Sequence, residues 1–346
     1  MSLCRMAVMR RKPAAFFLRW LPWLCLSLWV IATGCVARRP SPARIQASRT
    51  CTGSESERAT PASLKVTTFN VWGLPSWLNG ASSDRYGKIA QDLEQLGSDV
   101  VLLQEVWTRR SFDVLSGQAR GPARTWWTAD ARRKGGLLGQ NGLLTLSRYP
   151  IKGAWFRPFS ASRLPDSLAN KGALEVTIEL RPGQRVTIWN VHLQDEASGP
   201  VRSRQVAELV SWIEKAQDGQ MADIVGGDFN FTPESSEFRR FAAVFGPSVH
   251  QLGKEVALPT WDGLKPGPGA GQVLDHIFVR TRQPAVALRA WQHRVFAAAR
   301  RQDRLSDHMG VEAVVTFGGA DRSVPVIPGL QTVSVALPEA SALTRR

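Results

Sequence analysis

Polar side chains able to carry charge or hold a hard cation recur at the edges of apolar runs in this chain. The string ADIVGGDFN presents Asp228 and Asn230 two positions apart, on one side of an extended backbone. TTFN ends on Asn70, VVLLQE ends on Glu105, and VTIWNVH carries Asn190 and His192 on one face. VLDH brings Asp275, and LSDH brings Asp307 and His308. Taken alone, Asp228 and Asn230 are equally explained by an Asx turn that closes a strand. Six such edges are harder to assign to a core, because an unpaired buried carboxylate or imidazole costs several kcal/mol. If the edges meet in space, they form one site. Oxygen donors from Asn, Asp and Glu suit a hard cation, and with no cysteine in the region the set points to Mg²⁺ rather than zinc, with Mn²⁺ as a substitute. Two histidines beside carboxylates then suit proton transfer at phosphorus.

These edges need elements to hold them. LKVTTFNVW is predicted as a strand, and DRYGKIAQDLEQLG as a helix with Ile89, Leu93 and Leu96 on one face and Gly97 as its stop. DVVLLQEVW reads as a buried strand and NGLLTLSRYP follows it, while GALEVTIEL and RVTIWNVHL, joined through Pro182 and Gly183, read as an antiparallel hairpin. A helix is expected from Pro200 to Gly219, then strand ADIVGGDFN, a helix starting at Thr232-Pro233, and late strands VLDHIFVR and GVEAVVTF. Hairpins together with helix-flanked crossovers imply mixed sheets with helices outside, an α/β sandwich over residues 64–317.

A chain of 346 residues, 43% hydrophobic and 21% charged, has the composition of a globular protein with a sizeable core, which excludes general disorder. Residues 1–34 stand apart. Arg10, Arg11 and Lys12 precede an apolar run from Leu21 to Ile31, too short for a membrane span, and the string ATGC ends at Cys35. This resembles a bacterial lipoprotein signal, with Ala32 where leucine is commonest, so export to the cell envelope or medium and a lipid anchor on Cys35 are expected. Cys4 and Cys25 fall in that segment, and Cys35 and Cys51 precede the folded region, which is left without a disulfide. Residues 35–63 read as a flexible tether and 318–346 as a loosely ordered tail. The formal charge is +15, of which Arg5, Arg10, Arg11, Lys12 and Arg19 of the signal contribute five. A basic mature chain favours anionic partners, either nucleic acid or an acidic membrane.

Lys171 stands in LPDSLANKGALEV where a polar loop meets a strand, with Asp166 five residues earlier. A charge at such a junction is ordinarily solvated. Trp72, Leu74, Trp77, Leu78, Leu137 and Leu138 occupy loop positions that suit either a lipid interface or the core, and Trp126 and Trp127 are equally open. His250 and His293 match no pattern and read as surface or structural residues.

The strings TTFNVWGLP, LLQEVW, NGLLTLSRYPI, NVHL, GGDFNFTPE, LDHIF and LSDH come in the order and rough spacing of the endonuclease/exonuclease/phosphatase superfamily, which the chain resembles over nearly all of residues 64–317. The resemblance implies a DNase I-like four-layer α/β sandwich, two mixed β-sheets packed face to face with helices outside, whose strand ends build a Mg²⁺-dependent phosphoesterase site. Within it the chain is most similar to neutral sphingomyelinases: NVWGLP resembles their N-x-W-G-[IL]-P, GGLLGQNGLLTLSRYPI their glycine-rich loop and strand, and PDSLANKGALEV their D-x-L-A-x-K-G-A segment.

By position, that resemblance implies Glu105 as principal Mg²⁺ ligand with Asn70 beside it and Asp307 near the metal or its waters. It implies His308 as the base toward the attacking water, oriented by Asp275. Asp228 and Asn230 would position water and phosphoryl oxygens, and His192 would donate to the phosphate or the leaving alkoxide. Lys171 would neutralise phosphoryl charge while Asp166 holds or releases it. The implied reaction is hydrolysis of sphingomyelin, at a membrane surface and by a monomer, to ceramide and phosphocholine. Several superfamily nucleases also use a tyrosine, which neither Tyr86 nor Tyr149 can be matched to. Three other readings stay open: a secreted DNase I-like endonuclease acting on nucleic acid, an inositol-phosphate or phosphoinositide phosphatase, and a lipid-anchored binding protein without chemistry.

Overall fold

The computed structural model describes residues 41–49, 63–75, 82, 84–117, 126–130, 140–164, 166–195, 199–216, 220–246, 248, 258–263, 271–282, 287–296 and 303–318. The signal, Cys35, Cys51, Trp77, Leu78, Leu137, Leu138, His250 and residues 319–346 lie outside the described residues, as does the side chain of His293. Strands run β1 (Ala43–Arg44), β2 (Ser48–Arg49), β3 (Ser63–Asn70), β4 (Val100–Gln104), β5 (Trp127–Asp130), β6 (Leu144–Ser147) and β7 (Ile151–Pro158). They continue as β8 (Gly172–Arg181), β9 (Gln184–His192), β10 (Ala222–Asp228), β11 (Asp275–Thr281), β12 (Ala287–Val295) and β13 (Gly310–Gly318). The helices are α1 (Arg85–Leu96), α2 (Arg109–Leu115), α3 (Gly199–Glu214) and α4 (Ser236–Phe245).

Two mixed sheets result, in the orders β1-β7-β8-β9-β10-β11 and β12-β13-β3-β4-β6-β5-β2. Side-chain alternation stacks them. Leu64 and Val66 of β3, Val100 and Leu102 of β4, and Val186 and Ile188 of β9 meet between the sheets. The odd-numbered partners face outward: Phe69, Val101 and Leu103 pack with Ile89 and Leu93 of α1 and Phe112 of α2. On the other side Trp189 and Val191 pack with Leu209 of α3 and Phe241 of α4. The expected four layers are therefore present.

Continuing the inward row along each strand carries it from apolar to polar. Thr68 and Asn70 follow Val66, Gln104 follows Leu102, Asn190 and His192 follow Ile188, and Asp228 follows Ile224 on β10. Pairing then gathers those ends at one edge, because Asp228 lies opposite both His192 and Asp275, and Asn70 lies opposite Gln104. A polar clip joins the sheets beneath them: Gln104 Nε2 donates to Asn190 Oδ1 at 2.8 Å, and Asn190 Nδ2 donates to Leu103 O at 3.1 Å. The sheets approach so closely that a Cβ on Gly226 would lie 2.7 Å from Leu102 Cδ1.

The structure departs from the sequence reading in three places. Residues 43–49, inside the expected tether, supply β1 and β2, which pair with β7 and β5 at the open sheet edges, and Ile45 and Ala47 pack against the inter-sheet core. Helix α3 stops at Glu214 rather than near Gly219. Helix α4 starts after Ser235, whose Oγ accepts from Phe238 N at 3.0 Å, because Thr232 O is already engaged by Ser235 N in a turn that Pro233 favours. Trp126 is buried and Trp127 packs against the core, so neither is a lipid contact; Tyr86 and Tyr149 are buried as well. No helix among the described residues is long and apolar enough to cross a membrane.

Candidate active site

The polar ends of both sheets converge on Asn70 and Asp228. Asn70 Nδ2 donates to Glu105 Oε1 and to Asp228 Oδ2, each at 3.0 Å, while its Oδ1 accepts Trp72 N at 2.9 Å. In this arrangement the amide nitrogen, which donates, faces the carboxylates, and the Oδ1 that could face a cation is turned to Trp72 N. Asn70 is the bridge between Glu105 on one sheet and Asp228 on the other. Trp72, Glu105 and Asn230 all hold left-handed backbone, with φ of 48°, 59° and 51°, which costs a non-glycine residue energy that the surrounding contacts must offset.

The acid and histidine pair is formed. His308 Nδ1 donates to Asp275 Oδ2 at 2.9 Å, its Nε2 lies 3.7 Å from Asp228 Oδ2, and Ser306 Oγ anchors the loop by donating to Asn70 O at 2.7 Å. Burial works against the imidazolium, but Asp275 and Asp228 outweigh it and push His308 up to about 10. Asp228 is itself pushed up to about 7, first by burial and then by Asp275, with His308 opposing. Burial also raises Glu105, against the Asn70 hydrogen bond and with help from Asp307.

Lys171 is not a solvated edge. It is 6% exposed and donates to Leu193 O at 2.8 Å and to His192 Nε2 at 3.1 Å, with Asp166 Oδ2 at 2.5 Å. Asp166 also accepts from Gln194 Nε2 at 3.0 Å and Asp195 N at 2.9 Å, so the loop is stapled to the site's rim. Burial and then Lys171 hold His192 well below its usual range, which keeps it neutral. Its Nε2 then accepts from Lys171, and Nδ1 has no partner among the described residues. Asn230 Nδ2 donates to Leu193 O at 3.1 Å, next to Lys171, and Asn230 N caps Asp228 Oδ1 at 3.0 Å.

Every residue expected in the site is therefore brought together. The donors suit a hard divalent cation: Glu105, Asp166, Asp228, Asp275 and Asp307 outnumber by two the positive charges of Lys171, Arg85 and protonated His308, and no thiol is among them. Asp228, Asp275 and His308 also bring ligand atoms within 4.8 Å of one another, and Asp275 and His308 are already joined there by a hydrogen bond. Glu105 and Asp307 are carboxylates of the same site that hydrogen-bond to no histidine.

Sequence reasoning missed two supports. Gln104, buried beside Glu105, clips the sheets. Arg85 donates to the carbonyls of Val71, Trp72 and Leu305, tying the loop after Asn70 to the loop before Asp307. Main-chain acceptors leave no mark in a sequence, so Arg85 carried no signal.

With the geometry in view, comparison with known proteins is consistent. The chain is 30% identical over 193 residues to a candidate neutral sphingomyelinase of Drosophila melanogaster, an alignment covering 51% of this chain and 41% of that relative, less than half its length. It shares its fold with a beta toxin mutant from Staphylococcus aureus with bound magnesium ions, at TM-score 0.53 and 21% identity over 72% of this chain and 98% of that one. It shares it equally with D. rerio TDP2 complexed with single strand DNA product, at TM-score 0.59 and 18% identity over 73% of this chain and 99% of that one. The family model described as the endonuclease/exonuclease/phosphatase family matches residues 67–308, and the chain belongs to that family.

Proposed function

We propose that the protein is a Mg²⁺-dependent phosphodiesterase that hydrolyses sphingomyelin to ceramide and phosphocholine. The observation that carries this reading is Lys171, drawn from a loop into contact with His192 and held there by Asp166. Glu105 and Asp307 would hold a divalent cation, whose charge would neutralise the phosphoryl group and offset the share of Asp307 in keeping the proton on His308. His308, aligned by Asp275, takes the proton of a water whose oxygen bonds to phosphorus as the bond to the ceramide oxygen breaks. Neutral His192 offers its Nδ1–H as a hydrogen bond to the departing ceramide oxygen, which takes its proton from water. Lys171, by exchanging one of its three partners, offers its ammonium to the phosphoryl oxygens, and Asp166 sets how readily it does so.

A lipid surface is the proposed partner. Among the described residues the exposed large apolar side chains are Trp155 and three leucines, and the leucines border the site. Leu164 and Leu168, 59% and 52% exposed, flank Asp166, and Leu258, 51% exposed, precedes the segment that pairs with His308. Export and lipid attachment at Cys35 complete the proposal. It is tested by incubating the protein, with Mg²⁺ or with EDTA, with sphingomyelin vesicles, phosphatidylcholine vesicles and supercoiled DNA in parallel. Release of phosphocholine from sphingomyelin alone, and only with Mg²⁺, is the expected result, and nicking of DNA without lipid hydrolysis refutes it. A basic chain suits an acidic membrane and nucleic acid alike, and the second, nuclease reading predicts steep loss of binding with salt.

A further inference from the structure

The strings that carry the acidic residues bring tryptophans to them, Trp107 in LLQEVW and Trp261 in LPTWDG. Trp107 Nε1 donates to Glu105 Oε2 at 3.3 Å while Asn70 Nδ2 holds Oε1 at 3.0 Å. Trp261 Nε1 donates to Asp307 Oδ2 at 3.3 Å while Ser306 Oγ reaches Oδ1 at 3.3 Å. The shared feature is the indole N–H on one carboxylate oxygen; the other oxygen of Glu105 meets the Asn70 amide, whereas that of Asp307 only neighbours a Ser306 hydroxyl whose proton goes to Asn70 O. The grips come from separate segments, one from the loop after β4 and one from a loop that pairs with His308.

Each indole sits in a rigid seat. The Trp107 ring lies on Gly142, where a Cβ would come within 2.8 to 2.9 Å of three ring atoms, and the Gly142 carbonyl accepts Val106 N at 2.8 Å. Trp261 is bridged to Gln272 and to His308, and the next residue, Asp262, directs its N–H at Asp307 O at 3.4 Å. An indole N–H donates and cannot accept, so it fixes a carboxylate without competing for a cation. Both residues are half-buried, and their rings lie beside the acidic groups, so their emission can report on that site.

We propose that Trp107 and Trp261 are positioning residues of the cation site, whose indole N–H groups set the rotation of the Glu105 and Asp307 carboxylates so that their free lone pairs converge on one divalent ion. This rests on the reading of Glu105 and Asp307 as the cation pair. The ring itself is dispensable to the argument and the N–H is not, which makes phenylalanine the informative replacement.

The full chain, as wild type, Trp107→Phe, Trp261→Phe and the double variant, is titrated with Mn²⁺ without substrate and free Mn²⁺ is read by electron paramagnetic resonance. Each single variant should weaken binding on the order of tenfold, as loss of a ligand-orienting donor does, and the double variant further. The Mg²⁺ concentration for half-activation should rise by the same factor, with turnover repaired by raising Mg²⁺ and no rise in KM for the phosphodiester. In the wild type, Mg²⁺ should shift tryptophan emission, and each replacement should remove part of that shift. Unchanged Mn²⁺ affinity in the double variant overturns the proposal, as does turnover that excess Mg²⁺ does not repair. Wild-type emission that Mg²⁺ leaves unmoved overturns it even where a variant does not fold. Failure of the wild type to bind Mn²⁺ is a separate result, which removes the cation reading itself.

Discussion

Replacing Lys171 by methionine keeps most of its volume and removes its charge, and the structure sets what should follow. The ammonium holds Asp166 at 2.5 Å, Leu193 O at 2.8 Å and His192 Nε2 at 3.1 Å, with the lysine side chain 4% exposed. Removing one partner of a buried pair costs ~3 to 5 kcal/mol when the survivor is left alone. Asp166 is not left alone, since Gln194 Nε2 and Asp195 N still reach its Oδ2, and Leu193 O keeps Asn230 Nδ2. The expected loss of stability is therefore at the low end, about 3 kcal/mol. Asp166→Asn preserves an acceptor for both remaining donors, so the double variant should be less destabilised than the sum of the singles by about 2 kcal/mol. Urea unfolding of the four proteins measures this coupling. Turnover should fall by ~10² to 10³, the scale of losing one donor to a developing oxyanion, while Mn²⁺ affinity stays near wild type. Additive destabilisation within ~0.5 kcal/mol, or undiminished turnover in Lys171→Met, would refute the argument that Lys171 is held in place for the reaction.

Glu105→Gln and His308→Ala should each abolish turnover in a protein that keeps its far-ultraviolet circular dichroism, and retained Mg²⁺-dependent activity in both would remove the site assignment. Mg²⁺ at about a hundred times its Kd should stabilise the wild type by ~2.7 kcal/mol in thermal unfolding, a gain Glu105→Gln should lack. In EDTA, His308 is held from 6.5 up to about 10, so its contribution is complete below pH 6.5 and declines as pH rises toward 10. Unfolding free energy should fall across that window at up to ~1.4 kcal/mol per pH unit, and His308→Gln should flatten the fall. Cys35→Ser should move the protein from the membrane fraction to the soluble fraction, and unchanged fractionation would count against a lipid anchor.

Much of the site was legible because alternation is local. Asp228 follows Ile224 at even spacing, His192 follows Ile188, and Asn70 follows Val66, so the faces of these polar residues can be read from period two alone. The short strands β1 and β2 were not legible, because a two-residue strand has no period and is created by the unpaired edge it meets. Helix α4 began later than expected because Thr232 and Pro233 are as good in a turn as at a helix start, and only the Ser235 cap decides between them.

The sequence by itself determined the superfamily, the two-sheet architecture and which acidic and histidine residues end the strands, since each follows from local pattern and ordered motifs. Tertiary structure alone decided what those residues do to one another. It set the Asn70 amide as a donor bridging Glu105 and Asp228, and it buried Lys171 between Asp166 and His192. It also brought the indoles of Trp107 and Trp261 onto the acidic pair. The physical reason is that hydrogen-bond direction, burial and the charge of neighbours depend on contacts between strands far apart in the chain, and those contacts have no local signature.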